Sequence, residues 1–404
     1  MKKGNRKFSD TVLNGITYLS SGISVIMLLL IFGFIFSRGA STLSWKMFTN
    51  DYWSQNYQLA IPTSQISSFM DPKLGKDVYF SVKYGLAVKD GFDTKKEAIL
   101  QVVYLDPQSP LAKTTSLTVG TGFKTSIPLK VGMSIVKVAY LDNRGQMRSA
   151  GPIIQQKASE FMTTLDGSSS LQSTYAQSSG GGIRGSLIAT LYLIMISLMI
   201  ALPIGVMTAV YLNDYARFNK SSNWIRTSID LLIGVPSIIF GLMGMVVLYP
   251  ITTIFKANGT SILLGGLTMS VILLPIIIRT TEEALKVVPD AYRDASLSLG
   301  ANRSQTVFKI VLPQALPGII TGVLLSVGRV IGESAALIYT MGTFVNDAPK
   351  LTSGGTSLAV QIWSIMSNDQ PNFALASAIS IIILMVVLIM NISVKLILSK
   401  MKRA

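Results

Sequence analysis

Six long apolar stretches divide the chain, and each is near the roughly 20 residues that a helix needs to span a bilayer core. Some contain proline or glycine, which membrane helices tolerate when neighbouring helices satisfy the freed backbone groups. The first stretch is longer than the apolar core of a signal peptide, about 7–15 residues, and so predicts an uncleaved anchor. The pattern predicts an all-α polytopic protein with transmembrane helices at 12–36, 187–212, 229–251, 262–278, 319–341 and 374–398.

The long segment between the first two apolar stretches has a different pattern. Val78, Phe80, Val82 and Tyr84 recur at every second position, which is typical of a strand. The segment therefore predicts a mostly-β, sandwich-like domain inserted after the first helix, with its core at about 71–152. Further strands are predicted at 98–105 and at 131–141, the latter followed by the turn Asp142-Asn143-Arg144-Gly145.

These patterns divide the chain into four parts. The amino-terminal tail and first helix occupy residues 1–37, and the insertion occupies residues 38–166. The tract at 167–182 is rich in Ser and Gly, which cannot bury a core, and it predicts a flexible linker. Residues 183–404 then hold five transmembrane helices and a cytoplasmic loop at 282–313.

Composition and charge agree with a membrane protein. Only 14% of the residues are charged, against about 25% in soluble domains. The net charge of +15 would suggest nucleic acid in a soluble protein, but basic residues here cluster in short connections, as the positive-inside rule requires of cytoplasmic loops. We predict a lipid bilayer and no nucleic acid as partner, both termini in the cytoplasm, and residues 38–166 outside. The basic clusters are the two tails and residues 217–226 and 279–309.

Several kinds of chemistry are excluded by residues that the chain lacks. It has no Cys and no His, which excludes disulfides, thiol nucleophiles, imidazole catalysis and zinc sites built on these residues. No G-x-x-x-x-G-K-[ST] string is present, so a P-loop for nucleotide phosphates is absent. We predict no catalytic residue, metal or cofactor. A membrane receptor with an outside sensor domain is an alternative, although residues 279–318 are the longest predicted cytoplasmic piece that could carry its signal.

The fourth-to-fifth connection has the most informative residue pattern. Pro289 favours the first turn of a short helix over 290–299, and Ala291, Ala295 and Leu299 give that helix a narrow apolar stripe. Gly300 follows at the position where a left-handed residue costs least. A second short helix is predicted at 304–312, closed by Leu312-Pro313. From periodicity alone, both could be amphipathic helices lying on the membrane surface.

The residue string favours a more specific interpretation. Asp294-Ala295-Ser296, then Gly300-Ala301, then Ile310-Val311-Leu312-Pro313 resembles the EAA loop of ABC importer permeases. The departures, Asp294 for Glu and Ser296 for Ala, are mild. The resemblance implies a helix that docks into a groove of an ATPase subunit, with coupling residues Asp294, Ala295, Ser296, Gly300, Ala301, Leu312 and Pro313.

Two further strings narrow the resemblance. Residues 332–337, Gly-Glu-Ser-Ala-Ala-Leu, are similar to permeases of the phosphate ABC importer, of the PstA type more than the PstC type. Residues 234–241, Gly-Val-Pro-Ser-Ile-Ile-Phe-Gly, are similar to both types. The similarity covers about 183–401 and implies a bacterial plasma membrane protein. Its implied partners are a PstC-like permease, two ABC ATPase subunits, an extracytoplasmic phosphate-binding protein and phosphate itself. A related oxyanion, namely sulfate, molybdate or phosphonate, is the alternative substrate.

Arg329 and Glu333 lie inside the fifth predicted helix, where a charged side chain costs about 2.5–3.5 kcal/mol on insertion scales. Their spacing of four predicts that they share one helix face within contact range, so an intrahelical salt bridge is one interpretation. The other is that Arg329 binds the oxyanion through its bidentate fork while Glu333 keeps binding weak enough for release. The resemblance supports the second, because both match charged positions of phosphate permeases. Ser334 and Ser237 are assigned to the same pathway, although Ser237 could simply aid helix packing.

Charged residues near the cytoplasmic ends of the helices are expected to have simpler roles. Arg226 and Asp230 lie four apart, which predicts an interfacial salt bridge between them. Glu282 and Glu283 directly follow the fourth predicted helix, and we expect both to face water or the ATPase.

Overall fold

The computed structural model describes residues 3–62, 68–72, 74–92, 98–117, 125–178, 180–216, 219–367 and 371–401. The chain forms two compact units, one of Met1–Trp45 with Gly185–Ala404 and one of Lys46–Arg184. The helices are α1 (Lys3–Gly39), α2 (Trp45–Thr49), α3 (Ala158–Asp166), α4 (Arg184–Val210), α5 (Lys220–Gly234), α6 (Ser237–Met243), α7 (Tyr249–Ile254), α8 (Ile262–Val287), α9 (Asp290–Ser298), α10 (Arg303–Thr306), α11 (Leu312–Gly332), α12 (Ala335–Thr340), α13 (Leu358–Met366) and α14 (Phe373–Met401).

Six helical segments of the described chain are long and apolar enough to cross a membrane, as the hydrophobic pattern predicts. They are Val12–Gly39, Arg184–Tyr215, Ser237–Ile254, Ile262–Val287, Arg303–Gly332 and Phe373–Leu396. Some of these spans contain π-helical turns, at Tyr211–Tyr215, Gly244–Leu248 and Val307–Val311. The chain is therefore a helical polytopic membrane protein.

The third span differs from its predicted limits of 229–251. Helix α5 ends at Gly234, Val235 is extended with φ −72° and ψ 128°, and α6 begins at Ser237. Pro236 explains the break, because the proline ring clashes with a preceding residue in helical conformation. Residues 229–234 thus belong to a separate helix before the span, although the apolar pattern runs on without interruption.

The fifth span begins earlier in the chain than predicted. Arg303–Gly332 forms a continuous helical segment, so the prediction of a separate short helix at 304–312 closed by Leu312-Pro313 is wrong. The π-helical turn at Val307–Val311 directly precedes α11, whose first turn contains Pro313. A proline is tolerated at this position because its missing N–H is not needed there and its fixed φ suits a helix.

Helix α8 lies at the centre of the helical unit, and two thirds of the residues in its apolar stretch are buried. Helix α11 runs closely along it, because a Cβ atom added at Gly318 would lie 2.4 Å from Cβ of Ala284 and one at Gly322 would lie 2.1 Å from Oγ1 of Thr280. Small residues permit this approach in membrane helix pairs. The packing fixes α11, and with it Arg329, against a buried helix.

The other unit contains the sheet. Its strands are β1 (Asn56–Ala60), β2 (Tyr79–Ser81), β3 (Leu86–Phe92), β4 (Ala98–Leu105), β5 (Thr115–Ser116), β6 (Ser134–Leu141), β7 (Met147–Ala150) and β8 (Ser170–Gln177). They pair in the order β2-β3-β4-β6-β8-β1-β5, and β7 pairs with β6. The described strands are therefore joined in one sheet, with α3 contributing Phe161 and Leu165 to the buried core. The sandwich of two separate sheets is not formed.

The Ser/Gly tract at 167–182 is not a flexible linker. Residues 170–177 form β8, which pairs antiparallel with both β1 and β6 and so lies inside the sheet. Leu171, Thr174 and Ala176 are buried, and Ser168 is buried with its hydroxyl donating to the carbonyl oxygen of Leu165 at 2.6 Å. Composition misleads here because sheet partners from distant parts of the chain satisfy the backbone and hydroxyl groups.

The predicted turn after β6 is confirmed. Gly145 has φ +74°, and the Asp142 carboxylate accepts hydrogen bonds from the backbone N–H groups of Gln146 at 3.0 Å and Arg144 at 2.8 Å. The hydrogen bond from Gln146 and then that from Arg144, together with the nearby Arg148 guanidinium, lower the pKa of Asp142. The side chain thereby fixes the backbone of the hairpin.

Candidate functional site

Arg329 lies in the last turn of α11. Its side chain is exposed in the isolated chain, and no carboxylate of the described residues lies within ion-pair distance of its guanidinium. An exposed, unneutralised charge on a membrane-spanning helix is stable only where it faces water, a ligand or another protein chain. Arg329 is therefore accessible to water, a ligand or another protein chain.

Glu333 does not share a helix face with Arg329, so the predicted contact between them is wrong. Helix α11 ends at Gly332, and Glu333 has an extended backbone with φ −76° and ψ 130°. The spacing of four places two side chains together only while the helix continues. Glu333 is buried instead, and its Oε1 accepts a long hydrogen bond of 3.4 Å from the N–H of Ala336 at the start of α12.

A second helix break lies directly before α6. Ser237 begins α6 after Pro236, and Ser334 lies between α11 and α12; both serines are half-buried. Helices α6 and α12, which follow the two breaks, are in direct contact: a Cβ atom added at Gly241 would lie 2.7 Å from the carbonyl oxygen of Ala336. The structure thus brings α6, which begins at Ser237, against α12, which directly follows Glu333 and Ser334.

Replacing Gly241 with Ala is expected to lower the stability of the helical unit. The added Cβ would meet backbone atoms of Ala336, which cannot rotate away, and such overpacking costs about 1–3 kcal/mol. Gly234→Ala is the matched control, because nothing lies within 4 Å of its added Cβ. Thermal unfolding of the purified protein in detergent measures the difference; equal melting temperatures for the two variants would contradict the close α6–α12 contact.

The predicted short helix after Pro289 is confirmed, and its apolar stripe is exposed. Helix α9 begins at Asp290 after Pro289 and ends at Ser298, and the predicted stripe residues Ala291, Ala295 and Leu299 are all exposed. Leu299 exposes 89% of its surface. An apolar stripe that the chain itself leaves uncovered is suited to a partner protein.

Gly300 ends this helix as the sequence predicts. It has φ +87°, its N–H donates to the carbonyl of Leu297 at 2.9 Å, and the N–H of Ala301 donates to the carbonyl of Ser296 at 3.2 Å. These two bonds form a Schellman motif, which needs a left-handed residue at this position. The motif turns the chain from α9 into the fifth span, where Leu312 is half-buried and Pro313 exposed.

Two side chains anchor α9 to the rest of the helical unit. Asp294 is exposed, but Ser296 shares a hydrogen bond of 2.9 Å with Thr306. Arg293 donates to the carbonyl oxygens of Val288 at 3.1 Å and Leu285 at 3.3 Å, the last turn of α8. Its Nε also lies 3.4 Å from Oδ1 of the buried Asp214. Helix α9 is therefore linked to the end of α8 and to the π-helical turn that follows α4.

Sequence reasoning missed the roles of Arg293 and Asp214. Asp214 directly follows a long apolar stretch, and Arg293 is the single arginine of α9. An acidic residue at the end of an apolar span is the signal that could have indicated a buried ion pair. The separation of the two residues along the chain hid the partner.

An ion-pair cluster around the buried Glu282 corrects the expectations for Arg226, Asp230 and Glu282. Glu282 is buried rather than facing water, with Oε1 3.0 Å from Nε of Arg226 and 3.1 Å from Nζ of Lys286. Asp230 pairs with Arg279 through two hydrogen bonds of 2.6 and 2.5 Å, and not with Arg226. Burial of Glu282 is possible because cations from two helices surround it. Glu283 is exposed, as expected.

The site has no groups suited to hold a metal ion: the described residues contain no cluster of three or more Asp or Glu side chains. Its chemistry is that of one exposed guanidinium beside two helix breaks, with half-buried hydroxyls and a buried carboxylate nearby.

A family model described as "Binding-protein-dependent transport system inner membrane component" matches residues 201–403. The chain is 34% identical over 257 residues to a probable ABC transporter permease protein, YqgI, of Bacillus subtilis, which covers 60% of this chain and 83% of the relative. It is 33% identical over 220 residues to the phosphate transport system permease protein PstA 2 of Mycobacterium bovis, and this alignment covers 53% of this chain and 71% of the relative. Among solved structures, the MetNI methionine ABC transporter in an inward-facing conformation aligns with 22% identity and a TM-score of 0.42, covering 54% of this chain and 94% of that chain.

Proposed function

Because the chain belongs to the family of inner membrane components of binding-protein-dependent transport systems, we propose that it is the permease subunit of an ATP-driven ABC importer for inorganic phosphate. It is a transporter component and not an enzyme. Similarity to phosphate permeases over more than half of the chain supports the substrate. The chain has no P-loop, so hydrolysis occurs in partner subunits.

One observation carries the proposal: Arg329 is exposed on a membrane-spanning helix, and no carboxylate of the described residues lies within ion-pair distance of its guanidinium. A guanidinium presents planar paired donors that match a phosphate bidentately. The anion supplies the missing negative charge as it passes Arg329. When no anion is bound, the positive charge of Arg329 makes the pathway unfavourable for cations. Arg329 therefore acts as the chain's substrate-binding cation.

The neighbouring groups adjust how tightly the anion binds. Glu333 is held by the N–H of Ala336, so its negative charge stays near the pathway but does not neutralise Arg329. Repulsion from this carboxylate weakens anion binding enough for release. Ser334 and Ser237, at the two helix breaks, donate further hydrogen bonds to phosphate oxygens.

Coupling to ATP hydrolysis occurs through α9. Its exposed residues Asp294, Ala295 and Leu299 form the surface that docks into an ATPase subunit, and Gly300 and Ala301 set the direction in which the chain leaves it. Two ATPase subunits, a PstC-like second permease and an extracytoplasmic phosphate-binding protein complete the importer in a bacterial plasma membrane. The basic residues near α9 and in both tails support a cytoplasmic location for these parts under the positive-inside rule.

Uptake of labelled phosphate tests this function. The chain is reconstituted into vesicles with its second permease, ATPase subunits and binding protein, and uptake is measured with ATP inside. Phosphate uptake that excess sulfate, molybdate and phosphonate leave unchanged is the expected result. Uptake blocked by one of those anions would assign the site to that oxyanion instead, and no ATP-dependent uptake of any of them would favour a receptor.

The sheet-containing unit is proposed to lie outside the membrane and to dock the substrate-binding protein. It follows the first span and precedes the second, whose cytoplasmic ends carry the basic clusters. Docking here would raise the local concentration of the binding protein at the pathway. A stabilising role against the second permease is the competing explanation.

Excision of this unit separates the two roles. Asn56 and Gln177 are direct partners in the β1–β8 ladder, so residues 57–176 can be replaced by a short Gly-Ser linker without stretching the chain. We expect the half-saturating concentration of binding protein for uptake to rise about tenfold or more, as lost multivalent contact does, while the amount of assembled importer is unchanged. An unchanged half-saturation with less assembled importer would instead support stabilisation.

A further inference from the structure

The ion-pair cluster around Glu282 joins three elements of the helical unit beside α9. Arg226, on α5, donates from Nε to Oε1 of Glu282 on α8 at 3.0 Å. The same guanidinium donates from Nη2 to the carbonyl oxygen of Leu212 at 2.6 Å, in the π-helical turn that ends α4. Arg226 therefore contacts α4 and α8 at once, from a third helix.

The same π-helical turn is held from the side of the coupling helix. Arg293 of α9 contacts the carboxylate of Asp214, and Arg303, at the start of the fifth span, donates to the carbonyl oxygen of Asp214. The guanidinium of Arg303 also lies over the ring of Tyr215, at 5.3 Å from its centroid. Residues 211–215 are thus the point where cations from α5, α9 and the fifth span meet.

Helix α5 connects the ion-pair cluster around Glu282 to the helix break that precedes α6. Arg226 and Asp230 lie on the same helix, α5, and Asp230 is bound to α8 through Arg279. Helix α5 ends at Gly234, and the extended Val235 and Pro236 connect it to Ser237. A shift of α5 against α8 would therefore be passed to the residue that begins α6.

We propose that Arg226 is the positioning residue that transmits movement of the ATPase-docked α9 to the break before Ser237. This inference rests on the proposed importer function. When α9 moves, the π-helical turn moves with Asp214, and Arg226 pulls α5 along because it is bonded to both Leu212 and Glu282. A π-helical turn suits this role, since its irregular bonding allows a small local rearrangement.

The chain contains its own control for this proposal. Lys286 contacts the same oxygen of Glu282, at 3.1 Å, but from four residues along the same helix. Its charge neutralises the carboxylate without joining two elements. Arg226→Gln and Lys286→Gln therefore each remove one cation from Glu282, and only the first removes a link between helices. In Arg226→Gln, Glu282 keeps Lys286 and the more distant Arg279, at 3.8 Å, as neighbours, so folding should persist.

The experiment measures phosphate uptake and ATP hydrolysis by the complete importer in the same vesicles. For Arg226→Gln we expect phosphate imported per ATP hydrolysed to fall about tenfold, within the usual range of coupling between sites, while ATPase stimulation by the binding protein persists. Lys286→Gln is expected to keep the wild-type ratio. A purely structural role would reduce the amount of importer and lower both rates together, leaving the ratio unchanged.

Several results would overturn the proposal. One is a wild-type ratio of phosphate imported per ATP hydrolysed in Arg226→Gln. Another is an equal fall of this ratio in Arg226→Gln and Lys286→Gln, and a third is a parallel loss of uptake and hydrolysis in Arg226→Gln. If Arg226→Gln does not assemble, Arg226→Lys is measured instead. It keeps a cation at Glu282 but has no second donor in place for Leu212. A wild-type ratio of phosphate imported per ATP hydrolysed in Arg226→Lys also overturns the proposal. Absence of ATP-driven uptake in the wild type would instead count against the importer function itself.

Discussion

Replacing Arg329 with Gln is expected to abolish phosphate uptake while the importer still assembles. Gln keeps a hydrogen-bonding side chain but not the charge or the paired donors that match a phosphate. Removing one partner of a desolvated charged pair costs about 2–5 kcal/mol, so uptake should fall at least about thirtyfold. The side chain is exposed and makes no ion pair with described residues of its own chain, so the fold should not depend on it.

Two control variants sharpen this result. Arg329→Lys keeps the charge without the planar fork, and we expect uptake between those of the wild type and Arg329→Gln. Lys350→Gln removes an exposed cation outside the spans and should leave uptake unchanged. The measurement is labelled phosphate uptake normalised to the amount of purified complex. Retained uptake in Arg329→Gln would remove Arg329 from the substrate pathway.

Replacing Gly300 with Val is expected to release the ATPase subunits. Gly300 has φ +87° and no atom within 4 Å of an added Cβ, so the effect comes from the backbone and not from a clash. A β-branched residue in the left-handed region costs about 1–2 kcal/mol or more, which would weaken docking of α9 about five- to thirtyfold. Pull-down of the ATPase by the detergent-solubilised protein measures the loss.

Gly300→Asn is the matched variant, because Asn adopts left-handed conformations far more readily than Val. It should recover most of the pull-down. Equal binding by both variants would show that the Schellman turn does not position α9 for docking. Failure of the wild-type protein to capture any ATPase would favour the receptor alternative over the importer.

The parts of the site that were predictable are those whose requirements are local. Gly300 could be placed because a helix end asks for a left-handed residue at one defined position, and Pro289 marks the start of α9 for an equally local reason. The transmembrane spans followed from length and apolar composition. Arg329 could be identified as a candidate site residue because a charge inside an apolar stretch is costly wherever its partner lies.

The missed parts depend on groups that are far apart in the chain. Arg279 and Asp230 are separated by 49 positions, and two nearer pairings, Arg226 with Asp230 and Arg329 with Glu333, looked equally suitable at a spacing of four. The actual backbone decided against the second, since α11 ends at Gly332. Residues 170–177 became a central strand because β1 and β6 supply the partners that their composition does not indicate.

The sequence by itself therefore determined the membrane class, the apolar spans, the presence of β strands and the short helix α9 with its glycine end, because each depends on residues that are near one another in the chain. Tertiary structure alone decided where helices end at Gly234 and Gly332, how the charged side chains pair, and that Arg329 makes no ion pair with the described residues. A charge buried in a low-dielectric interior is costly unless an opposite charge or a hydrogen-bonding group lies beside it. Only the folded chain shows which groups are close enough. The break at Pro236 and the end of α11 at Gly332 thus acquire their meaning from the contact between α6 and α12.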